Sequence, residues 1–445
     1  MKDITNVREI ALNALLNLEK GNYNIDSVFD NNELNIKDIH LLKELVWGVC
    51  RYKIILDWYI KQLSDYPVHK MPLKLINVLR LGFYQILFLD KIPDYATVNE
   101  AVALAKKYGH HGQVKLINGI LRNLIRKKES LINPTTISDP TDYLVFNFSL
   151  PQWLINRWLD RYGFDFTKNL ASAMKQPPPL TLRVNTLQIS PYELKRKLID
   201  IGLNAENVIS PEALIIEKNA SQQIKDIYGY NEGCWYVQDT GAMLVSKILN
   251  PQPGEKILDI CAAPGGKTTH IAQLMKNKGK IIAVDNNKAR MNKLLENVKR
   301  LKINIIKPVI ADAEKEMSNV NLMFDKILID APCSAIGTIR HNPDVLWNKT
   351  YDDFSMLPKR QLNILCNAAQ YLKKEGILVY STCTTEPEEN KMVIKKFLKR
   401  NKEFKLISLK EFLPSDWEEK NKGMIQLYPH IHNTDGFFIA RMKKE

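Results

Sequence analysis

The chain reads as a multidomain protein: an all-α N-terminal domain, a small α+β module, and a C-terminal α/β domain with a doubly wound sheet. Three observations predict this. Residues 5–127 repeat their apolar positions at helical spacing with short connections, the pattern of a helical bundle. From Gln238 onward strand and helix patterns alternate strictly, which means a mostly parallel sheet. Within that half, Lys256-Ile-Leu-Asp-Ile-Cys-Ala-Ala-Pro-Gly-Gly-Lys-Thr-Thr269 joins a buried strand, a glycine turn and a helix start. The 445 residues are length for about three domains. The expected division is 1–128, 129–237 and 238–445.

In the first part, Val7, Ala11, Ala14, Leu15 and Leu18 keep one helical face apolar, after Thr5 and Asn6 as caps. A second helix carries Leu41, Leu45, Val46, Val49 and Tyr52 behind Asp38 as N-cap. Residues 73–89 are strongly apolar and stop at Pro93; 97–107 and 114–125 supply two more helices. His40, His69, His110 and His111 have no evident acidic or thiol partners and read as core or surface residues. Residues 128–152, with Asn-Pro, Asp-Pro and Leu-Pro steps, read as a linker.

An amphipathic helix over 153–170 precedes the module, which holds a strand over 180–186, a helix over 191–201 capped by Ser190, and a strand over 213–217. It is expected to be an RNA-contacting platform. Asp239 caps a helix running to Leu249. Strands are then expected at 256–260, 281–285, 305–310, 326–330, 377–380 and 437–442, with helices near 267–276, 287–301, 358–373 and 387–400.

Composition bounds the partners. With 45% hydrophobic and 25% charged residues, the chain can bury sizeable cores. No run of eighteen apolar residues is present, and the charged start lacks a signal peptide's apolar centre, so a cytosolic protein is expected. Six cysteines without a Cys-x-x-Cys pair make disulfides and bound metal unexpected. The formal charge of +14 favours a polyanionic partner. It concentrates at 101–128, where Lys106, Lys107, Lys115, Arg122, Arg126, Lys127 and Lys128 stand without an acid; a solvated face explains this about as well as a phosphate-tracking surface.

The chemistry gathers in the last part. Gly265 and Gly266 let the backbone turn sharply and come close to a ligand. Asp285 ends the second strand, where a ribose-binding carboxylate belongs, and the G-x-G-x-x-G fingerprint is absent, which argues for a nucleoside ligand other than NAD. Asp285, Asp312 and Asp330 all fall at or just past strand ends and can surround one pocket. Two cysteines occupy equivalent loops, Asp330-Ala-Pro-Cys333-Ser and Tyr380-Ser-Thr-Cys383-Thr. A buried thiol is usually a small hydrophobe, the reading given to Cys50 and Cys366. Two thiols in polar loops beside a nucleoside pocket point instead to nucleophilic catalysis.

These motifs, with Pro387-Glu-Glu-Asn390, resemble the S-adenosylmethionine-dependent RNA cytosine-5 methyltransferases, whose catalytic domain is Rossmann-like. The resemblance spans the chain. Residues 5–127 resemble the NusB-type helical RNA-binding domain through Leu79-Arg-Leu-Gly-Phe-Tyr-Gln-Ile-Leu87 and Ala96-Thr-Val-Asn-Glu-Ala-Val102. Arg183-Val-Asn-Thr186 is similar to the family's middle module, and Asp435-Gly-Phe-Phe438 to its closing strand.

The resemblance implies S-adenosylmethionine as cofactor and Cys383 as the thiol that attacks cytosine C6. Cys333 would assist proton loss and product release. It implies that the backbone of Cys261, Ala262, Ala263, Pro264, Gly265, Gly266 and Lys267 holds the cofactor's methionine part. Asp285 would bind the ribose, Asp312 the adenine edge, and Asp330 would sit between methyl donor and base. The helical domain leans toward 16S rRNA, naked or in an early small-subunit particle, and toward a monomer. A transfer RNA or 23S target, or a non-catalytic assembly factor, stays open. Two departures occur: in Arg340-His-Asn-Pro-Asp-Val-Leu-Trp347, Leu346 replaces a usual lysine, and Lys373-Lys-Glu-Gly376 replaces a Lys-Pro-Gly-Gly turn.

Overall fold

Asn6 opens the first helix, its side chain accepting the Arg8 N–H, and in the second long helix Asn35 does the same for Asp38. Asp38 is therefore inside that helix rather than its cap: Asn35 lies three residues earlier and takes the orphan N–H. The computed structural model describes residues 6–21, 26–29, 34–208, 210–217, 223–317, 320, 322–347, 349 and 353–445; Thr5 lies outside them. The chain separates into two compact units, Met1–Gln176 with Ile339–Lys349, and Pro177–Thr338 with Thr350–Glu445. No helix among the described residues is long and apolar enough to cross a membrane.

The first unit is all helix: α1 (Val7–Glu19), α2 (Asp26–Phe29), α3 (Ile36–Leu63), α4 (Leu73–Phe88), α5 (Asp94–Tyr108), α6 (His111–Lys127), α7 (Pro140–Phe148) and α8 (Gln152–Lys175). α4 is buried on nearly every side and serves as the central post. Arg80 on it is almost wholly buried, with its Nη1 2.7 Å from Glu19 and its Nε 2.7 Å from Asp57. α7 corrects the expected linker over 128–152. Asp139 accepts the Asp142 N–H and Pro140 takes the first helical turn, so the Asp-Pro step starts a helix instead of a loop. α8 runs longer than expected and breaks at Gly163, whose φ of 75° belongs to the left-handed region.

Residues 339–349 belong with the helical unit. Arg51 donates to the Arg340 carbonyl (3.1 Å), the Trp347 indole N–H donates to the Cys50 carbonyl (3.1 Å), and the Lys53 ammonium sits 3.5 Å from the Trp347 ring. Trp347 thus packs on the helical core, a use that its sequence position did not reveal.

The second unit holds both sheets. The small module is α+β as expected: β1 (Leu180–Val184), α9 (Pro191–Asp200), β2 (Asn204–Val208), β3 (Ser210–Glu217) and β4 (Trp235–Val237), ordered β2-β3-β1-β4 and antiparallel throughout. The expected helix over 267–276 becomes α11 (Gly266–Leu274), following α10 (Thr240–Leu249) and β5 (Lys256–Ile260). Then come β6 (Lys280–Asp285), α12 (Lys288–Arg300), β7 (Ile306–Ile310), β8 (Phe324–Asp330), α13 (Asp353–Ala369) and β9 (Leu372–Thr382). α14 (Lys391–Arg400), β10 (Phe404–Leu406), β11 (Met424–Gln426), α15 (Pro429–His432) and β12 (Phe438–Lys444) close the chain.

The large sheet runs β10-β12-β9-β8-β5-β6-β7, with β11 beside β12. Strands β5 to β9 are parallel, and β10, β11 and β12 antiparallel. This is the doubly wound α/β arrangement that the alternation predicts. β9 starts five residues before the expected strand, because polar Lys373-Lys-Glu interrupts the apolar run while Leu372 still pairs with Phe324 across an irregularity in the ladder. α14 starts four residues late: the turn 387–390 is irregular and has another task, described below.

The register fixes what gathers at the carboxyl edge. Ile260 pairs with Val284 and with Ile329, and Asp330 pairs with Ser381. Cys261, Asp285, Asp330 and Cys383 therefore leave the sheet at one edge, where ligands bind in such folds.

Candidate active site

Cys261 is the first residue past β5 and takes a left-handed φ of 60°, which swings the chain off the strand. Gly265, at φ 101°, then turns it into α11; a Cβ there would stand 2.9 Å from the Leu294 side chain. Here the conformation and the space both require glycine. The loop is held from two sides. Asp285 accepts the Ala263 N–H (3.1 Å) and the Asn287 N–H (2.9 Å), and Arg290 donates to the Ala263 carbonyl. On the far side Arg183 donates to the Gly266 carbonyl, to Gln238 and to Thr269 (2.8 Å). Burial pushes the Arg183 guanidinium down to about 9.

A cavity of ≈ 420 Å³ opens at the carboxyl edge of the sheet. Cys261, Asp285, Asp312, Asp330, Cys333 and Cys383 all line it. The structure thus brings together the three carboxylates and both loop thiols that the sequence singled out. Of the 261–267 loop, Cys261 alone is among the lining residues; Ala262, Ala263, Pro264, Gly265, Gly266 and Lys267 are not, although the Lys267 ammonium reaches Asp330 on the wall. Sequence reasoning missed two cations on the wall, Arg290 and Arg360. Arg290 lies five residues past Asp285 on α12, a position the strand-to-helix pattern could have flagged. Arg360 on α13, paired to Glu314 at 2.7 Å, carried no local signal.

The two thiols touch, with Cys333 Sγ 3.4 Å from Cys383 Sγ. The hydrogen bond to Cys383 and burial together push the Cys333 thiol well above its ordinary range, and either sulfur can be the donor of the contact. Burial and the neighbouring carboxylates, Asp330 first, hold Cys261 up at about 12, which removes it as a nucleophile. Beside the pair, Lys267 Nζ sits 2.7 Å from Asp330, whose other oxygen accepts from Ser381 (2.9 Å). Burial alone would push Lys267 down, but Asp330 outweighs it and holds the ammonium above its ordinary value.

The chain matches the family described as 16S rRNA methyltransferase RsmB/F over residues 246–443. It matches the NusB family over 5–126, and an RsmF/B-like ferredoxin-like domain over 150–223. Among curated relatives, the probable ribosomal RNA small subunit methyltransferase B of Bacillus subtilis is 39% identical over 99% of both chains. Ribosomal RNA small subunit methyltransferase B of Proteus mirabilis is 34% identical over the whole of both. Among solved structures, a methyltransferase homolog from Pyrococcus horikoshii is 32% identical, with a TM-score of 0.60, over 69% of this chain and 100% of that one.

Asp259, beneath the loop, gives a pH signature. Its carboxyl accepts from Thr268 (2.6 Å) and its other oxygen has no partner among the described residues; burial raises it from 3.8 to about 7. A carboxyl raised on folding binds more protons in the native state. The stabilisation is therefore full below the unfolded value near 4 and is lost as pH rises through about 7. At about 1.4 kcal/mol per pKa unit, the loss is on the order of 4 kcal/mol. Urea midpoints measured from pH 4.5 to 8 should fall across that window in the native chain and much less in Asp259→Asn; equal slopes would show an ordinary Asp259.

Proposed function

The chain belongs to the RsmB/F family of 16S rRNA methyltransferases, and from that premise we propose that it methylates C5 of a cytosine in 16S rRNA through a covalent adduct between Cys383 and the base. It is an rRNA methyltransferase, and the contact between two thiols on the cavity wall carries the finer reading. An enzyme transferring a methyl group to a ribose hydroxyl or an exocyclic amine has no need of a thiol at the reacting base. Cytosine C5 does, because it is a poor nucleophile until a thiol adds at C6.

The cavity suits S-adenosylmethionine. Its volume is within the range of small-ligand sites, and Asp285 and Asp312 offer carboxylate acceptors for hydroxyl and amino groups. When bound, that cofactor supplies an electrophilic methyl group for the activated C5 carbon. Asp285 binds the ribose hydroxyls, Asp312 the adenine amino edge, and the backbone behind Cys261 the methionine part. Cys383 acts as nucleophile at C6, converting C4–C5–C6 to an enamine-like system. Asp330, steadied by Lys267 and Ser381, accepts from the cytosine N4 amino group. Once C5 carries the methyl, a base (solvent water suffices) takes the C5 proton, its electron pair restores the C5–C6 double bond and the C6–S bond breaks to free the Cys383 thiolate; Cys333, hydrogen-bonded to that sulfur, assists this step and release.

The helical unit supplies RNA affinity. On α6 the buried face is Ile117, Ile120, Leu121 and Leu124, which turns Lys115, Arg122 and Arg126 outward as one exposed stripe. Among the described residues, three of the seven cations are engaged within the unit: Lys107 pairs with Glu9 at 2.6 Å, Lys128 donates to the Ile86 carbonyl, and Arg122 donates to the Asn118 side chain one turn away (3.0 Å) while staying exposed. The stripe is the surface that phosphates meet, on naked 16S rRNA or on an early particle.

Three outcomes follow. Cys383→Ala abolishes methyl transfer and the covalent adduct, whereas Cys333→Ala accumulates a denaturation-resistant protein–RNA complex on gels with labelled RNA; the reverse pattern would exchange the roles. Asp285→Ala weakens S-adenosylmethionine binding in calorimetric titration by about 1–3 kcal/mol, and undiminished affinity removes Asp285 from the site. Reversing Lys115, Arg122 and Arg126 together flattens the log–log salt dependence of RNA binding by roughly 2–3, at about 0.7–0.9 per contact. An unchanged slope restores the solvated-face explanation.

A further inference from the structure

The two thiol loops follow adjacent strands whose register brings them to one height, but both thiols lie just outside the ladder, so the sheet alone does not fix the distance between them. Two consecutive buried residues in the irregular turn before α14 reach both. Glu389 accepts the Ser334 N–H (2.8 Å) and the Gln361 side-chain N–H (2.9 Å), and Gln361 also donates to the Pro332 carbonyl (2.9 Å). Cys333 is thereby gripped on both sides. Asn390 donates to the Thr384 carbonyl (2.9 Å) and accepts from the Thr382 hydroxyl (2.5 Å), so Cys383 is gripped on both sides too. The Ser334 and Thr384 hydroxyls, 2.8 Å apart, join the two loops directly. Neither Glu389 nor Asn390 is among the residues lining the cavity.

We propose that Glu389 and Asn390 form a positioning pair that holds the Cys333 and Cys383 thiols in contact, so that both steps of the thiol chemistry occur at one bound base. The proposal rests on the roles given to the two thiols above. Each neighbouring residue holds one loop, so the backbone step from 389 to 390 is the ruler between them. A buried carboxyl is costly, and burial raises that of Glu389. Its retention is accounted for by two N–H groups that would otherwise be orphaned beside Cys333. A displacement of even 1 Å at such a site can cost about a hundredfold in rate.

The test reads thiol separation without requiring turnover. Oxidised glutathione is added to the full chain, and closure of the Cys333–Cys383 disulfide is followed by mass spectrometry. Each closure converts two protein thiols and one oxidised glutathione into one disulfide and two reduced glutathiones. Glu389→Ala and Asn390→Ala should slow both closure and kcat by at least about tenfold, while calorimetric affinity for S-adenosylmethionine is unchanged. Glu389→Gln, which keeps an acceptor for both N–H groups, should restore closure. Asn390→Asp, which cannot donate to Thr384, should not. If the alanine variants fail to bind S-adenosylmethionine, these two isosteric variants decide. Wild-type closure in Asn390→Asp, or slow closure in Glu389→Gln, overturns the pair. Slowed closure with an active Cys383→Ala would instead sink the catalytic reading and leave the positioning pair standing.

Discussion

The ladder between β8 and β9 is the constraint on which the site depends. Its register pairs Ile329 with Tyr380 and Asp330 with Ser381, and so brings two loops distant in sequence to the same height at one edge of the sheet. Cys333 is three residues past the one strand and Cys383 the first residue past the other, and the thiols meet at 3.4 Å. A slip of one residue would turn Asp330 to the opposite face of the sheet and part it from both Lys267 and Ser381. Buried apolar side chains on both faces of these strands resist that slip.

Charge is arranged around this ladder with one buried cation per task. Lys267 faces Asp330 and is held charged by it. Arg183, from the small module, forms no ion pair among the described residues and directs its donors to the Gly266 carbonyl, Thr269 and Gln238. A guanidinium keeps its charge where an ammonium would surrender it, and its planar fork can bond several fixed acceptors at once. The small module is thus tied to the glycine turn and the start of α11 through hydrogen bonds to main-chain and neutral side-chain oxygens. Cysteines in the same region separate by environment: Cys261 is buried beside carboxylates, whereas Cys333 lies against its partner thiol.

The helical unit solves a different problem. α4 is buried on most sides, and its one buried guanidinium is compensated by Glu19 and Asp57, so the charge stays internal. The external charge is on α6, where the apolar face fixes the orientation of the cationic stripe. Trp347, from a stretch far along the chain, completes the same core.

Much of this was legible in the sequence, because periodicity and turn chemistry are local. The helical spacing of residues 5–127, the alternation after Gln238 and the glycine turn at 265–266 follow from side-chain period and backbone freedom. The six cavity residues were legible too, because strand ends in a doubly wound sheet converge. Local signals failed where a residue's partner is remote. Asp-Pro at 139–140 read as a linker because a cap and a loop begin with the same residues, and only tertiary packing separates them. Arg360 and Trp347 looked ordinary because their roles depend on segments tens to hundreds of residues away. Glu389 and Asn390 stood inside a motif, but nothing in a linear sequence says that one holds the loop of Cys333 and the other that of Cys383. The sequence determined which groups the protein carries and to which edge of the sheet they go. Their distances, their partners and their burial were decided by the tertiary structure, since hydrogen-bond geometry and burial exist only once the strands are side by side.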